Sequence, residues 1–128
     1  MKSTYLRGEL YYADLGTGVG SEQNGYRPVV IIQNDVGNRH SPTTIVAAIS
    51  TQIKSKANLP THYHLKPGSG LVQPSMVMLE QIRTVDKTRL VQYIGKLLKR
   101  QQIFLCISSA GSALVFVVKI GYAFRADA

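Results

Sequence analysis

The sequence predicts a small, mainly β protein whose short strands close on themselves as a barrel. Two observations carry this. Five or six short apolar or alternating runs recur through the first 95 of the 128 residues. Between them stand clusters of Gly, Pro, Asn and Asp, and helical periodicity is scarce, the pattern of a small all-β fold. Gly8 to Leu15 (GELYYADL) opens the series with an aromatic-rich strand in which Leu10 and Tyr12 can share a face. Gly16 to Gly25 (GTGVGSEQNG) holds four glycines and an Asn-Gly pair, which demands a loop. Pro28 to Gln33 (PVVIIQ) is continuously apolar up to its last residue, as in a strand covered on both faces. Asn34 to Pro42 reads as a second loop, and Thr43 to Thr51 (TTIVAAIST) as a second buried strand. Thr61 to Lys66 alternates and stops at Pro67-Gly68; Ser75 to Ile82 (SMVMLEQI) is another apolar strand. A turn near Asp86 leads to a last run at Leu90 to Ile94.

Length allows one domain with a modest core. Hydrophobic residues are 45% and charged residues 17%, the balance of a globule and not of a disordered tail. Cys106 is the single cysteine, so no internal disulfide forms, and its apolar neighbours make it a buried, inert thiol. Lys2 and Arg7 precede no apolar stretch, so no secretory signal is read and a cytoplasmic protein is expected. The formal charge of +8 is unevenly spread. Residues 1–50 balance to zero, whereas residues 51–100 carry nine basic side chains against Glu80 and Asp86. Such a segment suits a polyanion, although charge alone also suits an anionic membrane, an acidic partner, or simple solubility.

The last third differs. Residues 103–118 contain no charge, and Lys96, Lys99 and Arg100 precede them, superficially like a membrane anchor with basic flanks. A spanning helix needs about 20 apolar residues, whereas this run is interrupted by Ser108, Ser109, Gly111 and Ser112. A helix over about 98–114 completing a domain of residues 1–114, then an apolar tail over 115–128, is the reading adopted.

Several chemistries are excluded by missing motifs. There is no nucleoside-triphosphate loop, no Gly-x-Ser-x-Gly elbow and no Cys-x-x-Cys pair. His62 and His64 share a strand face, yet two imidazoles without a third ligand do not make a zinc site. They read as surface or hydrogen-bonded histidines, as does His40, and no metal or cofactor is expected. What remains is a polar set at strand edges. Ser21, Glu22 and Gln23 lie in the glycine loop, and Arg27 precedes Pro28, which holds it extended. Ser50 and Thr51 end one buried strand; Glu80 and Gln81 end another. Strand ends also turn polar simply on leaving a core, so position alone leaves both readings open.

The blocks Arg7–Leu15, Gly20–Pro28, Val30–Asn34, Gly37–Thr43, Ile45–Ile49, Leu59–His62 and Leu79–Thr84 resemble, in order and spacing, those of MazF/PemK toxins. The resemblance spans about residues 6 to 97. It implies an SH3-like barrel with a C-terminal helix, paired as a homodimer with single-stranded RNA across the interface. It also implies a cognate MazE-like antitoxin, with DNA touched only through the toxin–antitoxin complex. By resemblance Arg27 is the catalytic arginine and Glu22 a proposed base. Ser50 stands where threonine is usual, which keeps the hydroxyl but loses the methyl that restricts its rotamer, so weaker activity is expected. Ser21 and Gln81 match RNA-contacting positions, and Asn34 and Thr51 are grouped with them as RNA-binding.

The implied reaction is attack of the ribose 2′-hydroxyl on its phosphate, giving 2′,3′-cyclic phosphate and 5′-hydroxyl ends without metal. Two alternatives stay open. One is a non-enzymatic gyrase poison on the same fold, against which the Arg27-Pro28 and Ser50 pattern speaks. The other is an inactive, decayed copy, because residues 98–114 lack the acidic amphipathic pattern of the family helix.

Overall fold

The computed structural model describes residues 4–18, 20, 25–52 and 62–102. Six strands form one antiparallel sheet: β1 (Glu9–Asp14), β2 (Tyr26–Ile31), β3 (Thr43–Ser50), β4 (His62–Leu65), β5 (Ser75–Asp86) and β6 (Leu90–Lys96). Their order across the sheet is β4-β5-β3-β2-β1-β6. Each falls where apolar patterning predicts it, because chain-local alternation is what a half-covered or fully covered strand requires. β5 runs four residues beyond the expected end at Ile82, reaching Asp86.

The continuous apolar run in β2 is explained by two cores. Val30 joins Leu10, Ile32, Ala47, Ile49, Leu65, Val77, Leu79 and Leu97 on one side of the sheet. Val29 and Ile31 join Tyr11, Ala13, Leu15, Val46, Val85 and Leu90 on the other. Alternate residues thus enter different cores, so neither face can tolerate polar side chains here. In β1, Leu10 is buried as expected, whereas Tyr12 is 43% exposed. Tyr12 still shares the side of Leu10, because Tyr11, Ala13 and Leu15 all enter the opposite core, but it is not part of the packed cluster there.

Closure of the barrel is a point of difference. β4 and β6 are the sheet edges, and no ladder joins them among the described residues. The sheet instead curls until the turn after β4 lies against β6. A Cβ at Gly95 would sit 1.9 Å from the Ser69 carbonyl oxygen, and one at Gly70 would sit 2.3 Å from that of Ile94. Only glycines permit backbones this close. The shape is therefore barrel-like, completed by packing where a closed barrel would have hydrogen bonds.

The segment expected to be a loop at Asn34–Pro42 contains a short helix, α1 (Asp35–His40). Asn34 caps it, its side chain accepting from Gly37 N at 2.7 Å. The buried Asn38 then ties the helix to β3 and to Gln33, which follows β2. Its Oδ1 accepts from Thr44 Oγ1 at 2.6 Å and from Gln33 Nε2 at 3.0 Å. Its Nδ2 donates to Gln33 O at 2.9 Å. These tertiary bonds override the turn-forming composition of the segment.

After β5 a single 3₁₀ turn, Lys87–Arg89, is capped by Asp86, whose Oδ1 accepts from Thr88 N at 2.9 Å and Thr88 Oγ1 at 2.7 Å. The backbone bond, then the hydroxyl bond, hold this carboxyl below its ordinary pKa. Part of the basic excess is structural: Lys87 Nζ donates to Asn38 O, and Arg89 donates to Asp14 O. A short helix, α2 (Lys99–Gln102), falls within the span expected to be helical. Cys106, the rest of the expected helix span over 98–114 and the tail over 115–128 lie outside the described residues. Among the described residues no helix is long and apolar enough to cross a membrane.

Candidate active-site groove

The sequence offers Arg27 and Ser50 from different strands, and the sheet decides whether they meet. β2 and β3 pair in the register Val29↔Ala48, Val30↔Ala47 and Ile31↔Val46. Counting outward by two residues brings Arg27 opposite Ser50. Alternation then puts both on the face that carries Val29, Ala48 and Val46. Arg27 is partly exposed, opposite Ala13 of β1, while Ser50 is 6% exposed and opposite Met76 of β5. Ser50 Oγ accepts from Gln52 N at 3.1 Å, which leaves its hydroxyl proton available to donate elsewhere.

On this same face a groove of about 350 Å³ is lined by Leu15, Val29, Val46, Ala48, Glu80, Gln81, Ile82 and Arg83. Its polar wall comes from an irregularity in β5. Ala47 pairs with Ile82 and Ala48 with Met78, so residues 79–81 have no counterparts on β3. This bulge turns the consecutive Glu80 and Gln81 to the groove while Leu79 stays in the core. Gln81, expected to bind RNA, is therefore a groove residue by virtue of the bulge.

Two arginines fix the base of the glycine-rich loop. Arg83 Nη1 donates to Leu15 O at 3.3 Å and Arg89 Nη1 to Asp14 O at 3.0 Å. Beside them Leu15 N donates to Gly25 O at 3.0 Å, and Gly25 N to Gly16 O at 2.8 Å. The loop expected to carry Ser21 and Glu22 thus leaves from a clamped neck next to the groove. Ser21 and Glu22 themselves lie outside the described residues. Thr51 is exposed immediately after Ser50. Asn34 lies beyond the opposite end of β2 from Arg27, and its side chain caps α1. The fold does not bring it to the groove.

This architecture is that of known proteins. PemK-like, MazF-like toxins of type II toxin–antitoxin systems match residues 6–106. The chain belongs to this toxin family. It is 56% identical over 92 residues to endoribonuclease EndoA of Bacillus subtilis, covering 71% of this chain and 78% of that protein. Among solved structures, MazF from Deinococcus radiodurans superposes with a TM-score of 0.65 at 15% identity, covering 96% of this chain and 97% of that one. A mycobacterial endoribonuclease in complex with its cognate antitoxin superposes at 0.62 and 21% identity, over 95% of each chain. These two establish the shared fold.

Residue reasoning did not foresee two features of this PemK/MazF chain, the pairing of the hydrogen-bonded His62 with Glu80 and the place of Arg83. His62 is buried, and its Nε2 lies 2.7 Å from Glu80 Oε2. His62 pairs with Met78, which joins Ala48 and Met76 in a small buried cluster on the groove side of the sheet. Arg83 enters the groove wall beside Gln81. The one available signal was the acid in the otherwise apolar run of β5, since a charge inside such a run must find a partner. Its partner stands 18 residues away, which spacing alone does not disclose. His64, as the sequence reading has it, is an exposed strand histidine.

Proposed function

We propose that this chain is the toxin of a type II toxin–antitoxin system that cuts single-stranded RNA at short sequences, without metal, as a homodimer. It is an endoribonuclease, as the relative with 56% identity is by name. The observation that carries the finer reading is the placement of Arg27 and Ser50 on one face of the sheet, beside a groove with polar walls. The Arg27 guanidinium holds the scissile phosphate through two parallel hydrogen bonds and stabilises charge as the phosphorane forms. Ser50 donates a hydrogen bond to a phosphate oxygen. The ribose 2′-hydroxyl attacks the adjacent phosphorus, the bond to the 5′-oxygen breaks, that oxygen takes a proton from water, and the products are a 2′,3′-cyclic phosphate and a 5′-hydroxyl. Dependence on that hydroxyl restricts cutting to RNA. Glu22 takes the 2′ proton. Gln81, Ser21 and Thr51 contact the strand.

A cognate antitoxin silences the enzyme, consistent with the antitoxin complex of the mycobacterial endoribonuclease. DNA is reached only through that complex. The test is purified protein and single-stranded RNA in EDTA, with the ends analysed for cyclic phosphate and 5′-hydroxyl. Arg27→Ala is expected to lower cutting by at least about 10²–10³-fold, the usual loss for a group stabilising transition-state charge. Full activity of Arg27→Ala, or a strict metal requirement, refutes the mechanism. Intact RNA together with stalled gyrase supports the gyrase-poison alternative.

A further inference from the structure

We propose that the groove beside Arg27 and Ser50 is a nucleobase pocket that selects a base with an exocyclic amino group, read by the Glu80 carboxylate that His62 holds in place. This rests on the ribonuclease reading above and adds to it the chemistry of one substrate position.

The lining argues for a base and against a phosphate. Behind the groove stand the buried side chains of Leu15, Val29, Val46 and Ala48, apolar groups that leave hydrogen bonding to the polar wall. An acid in the wall repels a phosphate and attracts N–H donors. Glu80 is such an acid, placed at the groove by the three-residue bulge that interrupts pairing between β3 and β5. Its carboxylate does not swing freely, because Oε2 is 2.7 Å from the Nε2 of His62, a side chain 2% exposed. A carboxylate has about four acceptor positions, so it keeps this bond while accepting from a ligand. A group locked by a buried partner discriminates better than a loose one.

The neighbouring side chains complete an edge-reading set. Gln81 offers both an amide donor and an acceptor, and Arg83 offers a planar guanidinium already oriented by its bond to Leu15 O. Single-stranded RNA is read by unstacking a base onto such surfaces and hydrogen-bonding its edge. Adenine, cytosine and guanine each present an amino group that donates to a carboxylate. Uracil presents one ring N–H between two carbonyl oxygens, whose lone pairs face the carboxylate unfavourably. The pocket therefore excludes uracil.

The experiment is brief digestion of a random single-stranded RNA library by wild-type protein and by Glu80→Gln, with the new ends sequenced. At one position near the cut, wild type is expected to disfavour uracil by about tenfold or more, the typical discrimination of a good base contact. Glu80→Gln, whose amide donates to a uracil carbonyl, is expected to lose most of that bias at that position alone. A second arm uses wild-type protein only. Replacing adenine by purine, cytosine by 2-pyrimidinone or guanine by hypoxanthine at that position deletes the amino group and costs a similar factor. Cutting that tolerates uracil everywhere, indifference to amino deletion, or an unchanged profile in an active Glu80→Gln overturns the pocket assignment while leaving the ribonuclease reading intact. Failure of wild type to cut any RNA overturns both.

Discussion

Substituting Ser50 by threonine and by alanine tests how its hydroxyl works, since the three side chains separate the oxygen from the methyl. The hydroxyl lies at the end of β3, 6% exposed, accepting from Gln52 N at 3.1 Å. To donate to a phosphate oxygen it must occupy one of three staggered χ1 wells. If serine samples all three equally, fixing one costs RT ln 3, about 0.6 kcal/mol, or a factor of about three. Threonine is already restricted at χ1 by its branch. The bond from Gln52 holds the serine partly in place, so three is the ceiling. The added methyl enters the neighbourhood of Met76, a flexible residue that yields readily. Ser50→Thr is thus expected to raise kcat/KM by between one- and threefold. Ser50→Ala removes a hydrogen bond to a charged group, worth about 1.5–3 kcal/mol, or roughly 10- to 150-fold in kcat/KM. The assay is initial rates on a fluorescent single-stranded RNA, with melting curves to show that all three proteins are folded. Alanine cutting as well as serine, or folded threonine falling to the alanine level, refutes a hydroxyl that donates to the phosphate.

Two further outcomes probe the scaffold. Asn38→Ala leaves the fully buried Thr44 hydroxyl without its 2.6 Å acceptor and cuts the ties to Gln33, so a loss of about 2–4 kcal/mol is expected. It is read as a lower urea midpoint at unchanged slope, and a loss below about 0.5 kcal/mol contradicts the network. Because Thr88 holds the Asp86 carboxyl below its ordinary pKa, the anion favours the folded state above the unfolded value of about 3.9, and that contribution vanishes as pH falls through the lower folded value. Asp86→Asn is therefore expected to melt below wild type at neutral pH, the gap closing as the solution is acidified past that range; a gap independent of pH argues against the capping anion.

All six strands were legible because each depends on a pattern within a few residues: alternation, continuous apolarity, or the Gly and Pro that stop a run. Arg27, Ser50 and Gln81 were legible as candidates through motif blocks, which keep residue types in order along the chain. The glycines that bring the Ser69–Gly70 turn onto Ile94–Gly95 were not, since each glycine looks the same wherever it stands. The helix at Asp35–His40 escaped notice because its stability comes from Asn38 reaching Gln33 and Thr44, not from helix-forming composition.

Local residue chemistry thus determined a β-rich chain with a basic middle segment and a short set of polar strand ends. Only tertiary structure decided which of those ends face one another. The pairing of β2 with β3 assigns Arg27 and Ser50 to a common face, and the bulge in β5 delivers Glu80 and Gln81 to the same groove. The reason lies in the period of a strand: one residue of slip reverses every side chain, and that register is set by contacts between segments far apart along the chain.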